Sequence, residues 1–122
     1  ERFEFEATTS SKPFKTRKRK PLKFKCPLKY EPQNEYETIV LFCFLANELG
    51  FDIENVQSEF PDATLVKDGE TIPVEFEYLS SNYIQHCHPM SFTGLVICWR
   101  KDIEIEGIET LSLEEYLRNR KA

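Results

Sequence analysis

Polar and apolar positions alternate most clearly between Phe60 and Tyr78, in two β-rich runs separated by Lys67-Asp68-Gly69-Glu70. Asp-Gly between two such runs predicts a hairpin, because a type I′ turn needs positive φ at both central residues. With Asp68 and Gly69 at the tip, Lys67 pairs with Glu70, Thr64 with Pro73 and Asp62 with Glu75. Hydrogen-bonded and open pairs alternate away from the turn, so Pro73 falls where its missing N–H costs Thr64 nothing. Asp62 and Glu75 form an open pair with Cβ atoms roughly 4.5–5.5 Å apart. Glu77 shares their face, whereas Ala63, Leu65, Val74, Phe76 and Tyr78 take the other.

Upstream, residues 39–46 are apolar almost without interruption. They predict a helix buried on most sides, N-capped by Asn34 and stopped at Gly50. Glu35 and Glu37 complement the positive end of that helix; the sharper alternative aims one of them at the hairpin's acidic face. Residues 51–59 predict a strand with Ile53 and Val56 apolar. Ser80-Ser81-Asn82 predicts the cap of a short helix over 83–88, stopped by Pro89. Residues 93–99 read as a buried strand, and 103–111 as one or two short strands around Gly107. Ser112-Leu113-Glu114-Glu115 is a capping box that opens a terminal helix. This order predicts an α/β domain with one sheet flanked by helices.

At 122 residues, 40% of them hydrophobic and ten of them Phe, the chain supports one domain with a single core. No apolar run is long enough to span a bilayer, and no signal-peptide pattern is visible. The chain opens on Glu1 rather than Met, which leaves room for a preceding segment. Cys26, Cys43, Cys87 and Cys98 lack CxxC spacing. They read as free thiols in a reducing, intracellular compartment, cytoplasmic or nucleoid/nuclear.

Charge divides the chain. Residues 1–29 hold ten Lys/Arg and three Glu, a net +7, whereas the remainder nets −12. Residues 1–30 are therefore expected to be a basic N-terminal arm, with 2–7 alternating like a short strand, and 31–122 to be the domain. Lys15, Arg17, Lys18, Arg19 and Lys20 are the densest part of the arm, and Pro13, Pro21 and Pro27 argue against a helix there. The arm reads either as a phosphate-contacting or nuclear-targeting patch or as a solvated leader. Phe14, Phe24 and Tyr30 either stack on bases or pin the arm to the domain.

Three acids on one hairpin face repel one another unless a cation sits among them, which makes Asp62, Glu75 and Glu77 a candidate metal site. Their hard oxygens suit Mg²⁺ or Mn²⁺. His86-Cys87-His88 lacks the second ligand pair of a zinc site. On a helix, residues i and i+2 also point about 200° apart. The expectation is that one histidine lines the cleft and contacts phosphate while the other is structural.

Pro61-Asp62 and Glu75-Phe76-Glu77, separated by the hairpin turn, resemble the PD-(D/E)XK nuclease superfamily of restriction endonucleases and archaeal junction-cutting enzymes. Further stretches resemble an uncharacterised restriction-endonuclease-like subgroup: Asn34-Glu35-Tyr36-Glu37, the string from Val74 to Tyr83, His86-Cys87-His88 and Val96-Ile97-Cys98-Trp99. The resemblance spans residues 34–99 and implies an αβββαβ core with a mixed sheet. It implies a Mg²⁺-dependent endonuclease acting on DNA rather than RNA, with Asp62 and Glu75 on the metal. Glu35, or else Glu37, joins them, and Glu77 is a further ligand or general base. Asn82, His86 and His88 would contact phosphate. Because nucleases that cut both strands commonly pair two sites, a homodimer is a further expectation. Glu77 stands where the family usually has Lys, and Pro89 and Gly94 stand where the subgroup carries acids. These departures keep a second reading open, a non-catalytic module of the same fold that binds nucleic acid or a protein.

Overall fold

The structure is a computed structural model, and it describes residues 19–120. The strand expected over 2–7, and Phe14, Lys15, Arg17 and Lys18, lie outside the described residues. In chain order the elements are α1 (Glu35–Leu49), β1 (Asp52–Val56), β2 (Ala63–Lys67), β3 (Glu70–Leu79), α2 (Ser81–Gln85), β4 (Leu95–Arg100), β5 (Glu109–Ser112) and α3 (Leu113–Asn119). The order through β4 is αβββαβ, as expected.

The hairpin forms in the predicted register. Asp68 and Gly69 both take positive φ, 53° and 79°. Ala63 pairs with Val74, Thr64 with Pro73 and Lys67 with Glu70. All five strands lie in one sheet in sequence order. β1, β2 and β3 are antiparallel, whereas β4 runs parallel to β3 and β5 parallel to β4. A parallel neighbour needs a crossover. The β3–β4 crossover carries α2 and the His-x-His sequence.

Alternation along the strands sorts the two faces. Ala63, Leu65, Val74, Phe76, Leu95, Ile97 and Trp99 join Leu41, Phe42 and Leu45 of α1 in the main core. Val96 turns the other way and packs with Tyr83, Ile105, Ile108, Phe60 and Phe92 in a smaller cluster. Each fully buried Leu or Phe contributes about 1.5–3 kcal/mol relative to exposure.

α1 begins at Asn34, whose side chain accepts from the Glu37 N–H, and ends at Gly50 with φ 89°. Its burial differs from expectation. Thr38, Leu41, Phe42, Leu45 and Ala46 are buried, at the i, i+3, i+4, i+7, i+8 spacing of one helix face. Val40 and Phe44 are nearly half exposed, and Cys43 is exposed. An apolar run does not say how much of a helix its neighbours cover.

β1 is an edge strand exposed throughout and bulged between Ile53 and Asn55. β5 is a single short strand where one or two were expected. Ser112 caps α3 as predicted, its hydroxyl accepting from the Glu115 N–H. Gly94 sits at the mouth of β4, where an added Cβ would lie 2.1 Å from the Pro73 carbonyl oxygen. An acidic side chain at this position does not fit the backbone.

Residues 19–30, the described part of the expected basic arm, fold back onto the domain. Leu22 N donates to the Lys29 carbonyl, Glu31 N donates to the Lys20 carbonyl, and Pro21 bridges Tyr30. Leu22, Phe24, Cys26 and Leu28 pack on the main core while Lys23, Lys25 and Lys29 stay exposed. Phe24 also lies against Phe44, and the Arg19 guanidinium lies over Tyr30. Phe24 pins the chain to the domain, whereas Tyr30 lies against Arg19, Lys29 and Pro21 of the same segment.

Candidate metal centre

The site starts where β2 begins. Asp62 N donates to Glu75 Oε1 (3.0 Å), and Phe76 N donates to Asp62 Oδ2 (2.9 Å). The two carboxylates thus bind across the hairpin in the predicted 62/75 alignment, one residue beyond the ladder. Glu77 follows on the same face and is fully buried, with Glu75 nearly so. Glu35, from the first turn of α1, lies close enough for its charge to raise the proton affinity of both.

Glu35, not Glu37, is the helix carboxylate that faces the cluster. Glu37 is held away by Arg19 Nη2 (2.7 Å) and by the Gln33 amide (2.9 Å), both on its Oε1. Two positions separate the residues by more than half a helical turn, so they cannot share one side. Glu37 therefore leaves the predicted ligand set.

Electrostatics in the cluster are dominated by burial. Glu75 is pushed up to about 8 by burial first and then by the Asp62 charge, against the amide bond from Asp62. Glu77 is pushed up to about 8 by burial and then by Glu35 and Asp62. Asp62 and Glu35 are also raised, again by burial first. Among the described residues no Lys or Arg pairs with any of these four acids. The side-chain nitrogens within reach are those of the two histidines.

His86 and His88 enter differently from expectation. α2 ends at Gln85, and Cys87 takes φ 58°. The helical argument that set the rings about 200° apart therefore does not apply. His86 Nδ1 lies 3.0 Å from Glu77 Oε1, and His88 Nε2 lies 3.0 Å from Glu75 Oε2 and 3.5 Å from Glu77 Oε2. Glu77, His86 and His88 each offer a ligand atom within 4.8 Å of the others. A signal for this was present in the sequence: the residue before a proline is biased away from the helical region, which takes His88 off the helix.

His88 is also held in place by packing. Its ring stacks on Phe60 (4.8 Å) and lies against Tyr83 (5.1 Å). The Tyr83 hydroxyl donates to the Pro89 carbonyl. Burial, followed by the nearby His86 charge, lowers the His88 pKa.

Asn82 is committed locally, accepting from Leu79 N (2.9 Å) and donating to Gln85 Oε1 (2.7 Å). Ser80 does not cap α2 with its side chain. Its hydroxyl bonds Asp102 and the Ile103 carbonyl, and Ser81 binds Asp102 through both its amide and its hydroxyl. The Ser-Ser-Asn string thus builds the turn from β3 into α2 and ties it to the end of β4. Asp102 has this anchoring role without having been singled out in the sequence.

The residues fit a divalent cation on two counts. Oxygen donors from Asp62, Glu75, Glu77 and Glu35 form a hard ligand set. Glu77 Oε1 is buried with no hydrogen-bond partner, an arrangement that is costly unless a cation or proton satisfies it. Comparisons with protein-family models, with curated proteins and with solved structures return no match. No helix among the described residues is long and apolar enough to cross a membrane.

Proposed function

We propose that the chain is a metal-dependent nuclease of the PD-(D/E)XK type that hydrolyses phosphodiester bonds in DNA. The observation that carries this reading is the meeting of Asp62, Glu75 and Glu77 on one hairpin face, beside Glu35, with a buried Glu77 oxygen left without a partner. Asp62 and Glu75 would hold Mg²⁺ or Mn²⁺, with Glu35 completing the ligand set. Such an ion supplies Lewis-acid polarisation of a phosphoryl oxygen and lowers the pKa of a bound water.

The chain's own residues do the rest. Glu77, in the position the superfamily usually gives to Lys, accepts a proton from the attacking water. Burial raises its proton affinity toward neutrality, the range where a general base works best. His86 or His88 contacts the phosphate. Asn82, held by Leu79 and Gln85, supports the turn rather than the substrate. Lys20, Lys23, Lys25 and Lys29, exposed on the folded-back segment, offset the acidic body and supply sequence-independent phosphate attraction. Two chains acting together would cut both strands. Four free thiols agree with an intracellular location.

The test is cleavage of supercoiled plasmid and labelled oligonucleotides with Mg²⁺, Mn²⁺ or EDTA, comparing wild type with Asp62→Asn and Glu75→Gln. Wild type should cut with either metal and not with EDTA, and each variant should lose about 100-fold or more. Equal cutting by all three proteins would overturn the assignment. Salt-dependent DNA binding without cleavage by wild type would favour the non-catalytic module instead.

A further inference from the structure

We propose that Glu77, His86 and His88 form a second cation position beside Asp62 and Glu75, and that it takes a transition metal of the Zn²⁺ class in preference to Mg²⁺. The proposal rests on the reading of the same cleft as a metal-dependent nuclease, and it replaces direct phosphate contact by His86 or His88, and proton acceptance by Glu77, with ligation of a second ion.

Geometry carries it. Four ligands about 2.0–2.1 Å from one ion, arranged tetrahedrally, have edges of about 3.3 Å between donor atoms. Glu77 Oε2 lies 3.3 Å from His86 Nδ1 and 3.5 Å from His88 Nε2, so one oxygen meets both edges, and Glu77 Oε1 lies 3.0 Å from His86 Nδ1. Yet Glu77 Oε1, fully buried, makes no hydrogen bond despite that 3.0 Å contact with an imidazole nitrogen. His86 Nδ1 bonds the other oxygen, Oε2, at 3.3 Å, which leaves Oε1 free to face an ion. Glu75 Oε2, 3.0 Å from His88 Nε2, is positioned for a shared or fourth ligand.

Preorganisation points the same way. The positive φ of Cys87 brings both rings to one side, and its own Sγ turns to the Gln85 carbonyl instead (3.9 Å). Phe60 and Tyr83 fix the His88 ring. Imidazole nitrogen suits Zn²⁺, Ni²⁺ or Cu²⁺, whereas Mg²⁺ and Mn²⁺ prefer carboxylate, carbonyl and water oxygen. The cleft thus offers two chemically different positions, one all oxygen and one of mixed nitrogen and oxygen.

The experiment is metal binding by the full chain, read without any nucleic acid. The metal-free protein is titrated with Co²⁺, whose visible absorption reports nitrogen and oxygen ligation. Zn²⁺ content is then measured after dialysis against excess Mg²⁺. Wild type should retain one Zn²⁺ per chain and develop a Co²⁺ spectrum that Mg²⁺ does not remove. His86→Ala and His88→Ala should each weaken binding by more than the roughly 10- to 100-fold that losing a supporting partner costs. Asp62→Asn should keep the ion. His86 is half exposed, so its replacement leaves the packing intact, and near-ultraviolet circular dichroism of each variant verifies folding. Displacement of Zn²⁺ by Mg²⁺, or Zn²⁺ binding unchanged in both histidine variants, overturns the proposal. Metal-dependent cleavage by a wild type that binds no Zn²⁺ would sink this inference and leave the nuclease reading standing. Zn²⁺ held through the histidines of a protein that cuts nothing would do the reverse.

Discussion

Replacing Glu77 by Gln should stabilise the metal-free protein, and by an amount that grows with pH. Glu77 is fully buried and carries an oxygen without a partner. Its carboxyl titrates near 4.5 when unfolded and is pushed up to about 8 when folded, by burial and then by Glu35 and Asp62. Because the folded value lies above the unfolded one, the folded state binds the extra proton between those limits. Stability therefore falls as pH rises through that window. At about 1.36 kcal/mol per pH unit of proton retention, the penalty at pH 7 is at most about 3 kcal/mol. Structural relaxation reduces it toward about 1–2 kcal/mol. Gln fills the same volume and carries no charge to desolvate. Urea unfolding in EDTA across pH 4–8 should show the two proteins alike at the acid end, with Glu77→Gln increasingly ahead toward neutrality. Saturating Zn²⁺ should narrow or invert the order, since Glu77 belongs to the proposed histidine site and binding at 100 times Kd adds about 2.7 kcal/mol to the protein that retains it. A difference that is flat with pH, or a wild type more stable than the variant at pH 8 in EDTA, would refute the reasoning.

Other expectations are simpler. Gly94→Ala drives a methyl group into the Pro73 carbonyl of β3, a backbone atom that cannot rotate aside, and should cost about 3 kcal/mol or more by denaturant unfolding. Leu41→Ala empties a fully buried site between α1 and the sheet and should cost about 2–5 kcal/mol by the same measurement. Asp102→Asn removes the charge from the carboxylate that accepts from Ser80 and Ser81, with an expected loss of about 0.5–1.5 kcal/mol. Burial raises the Asp102 pKa, but the serine hydrogen bonds outweigh it and hold it below 3.8. Its contribution should therefore be present at neutral pH and vanish as the solution is acidified through the carboxylate range.

What the sequence revealed depended on how local the cause was. The hairpin was legible because turn chemistry and alternation both lie within residues 60–78, and register follows from the turn by counting. Asn34, Gly50 and Ser112 were legible for the same reason: a cap answers to the nearest turn of chain. The choice between Glu35 and Glu37 was not, because Arg19, from a segment folded back onto the domain, decides it. Nor was the role of Ser80 and Ser81, whose partner Asp102 lies more than twenty residues downstream. The histidine pair required the left-handed backbone at Cys87, a conformation that a non-glycine side chain does not advertise. Burial of α1 was overestimated because hydrophobicity records what can be covered, not what is.

The crossed hydrogen bonds between Asp62 and the Glu75-Phe76 stretch also bear on which ions can sit there. Glu75 Oε1 is already bound to the Asp62 amide, and Asp62 Oδ2 to the Phe76 amide. Each carboxylate therefore keeps one oxygen free of a backbone hydrogen bond, that of Glu75 facing His88 Nε2, and chelation through both oxygens would have to share one with a backbone N–H. Ca²⁺ commonly relies on such two-oxygen chelation within its six to eight ligands, whereas Mg²⁺ is content with single oxygens in an octahedron completed by water. The hairpin discriminates between the two through how its carboxylates are tethered, before the size of the cavity enters.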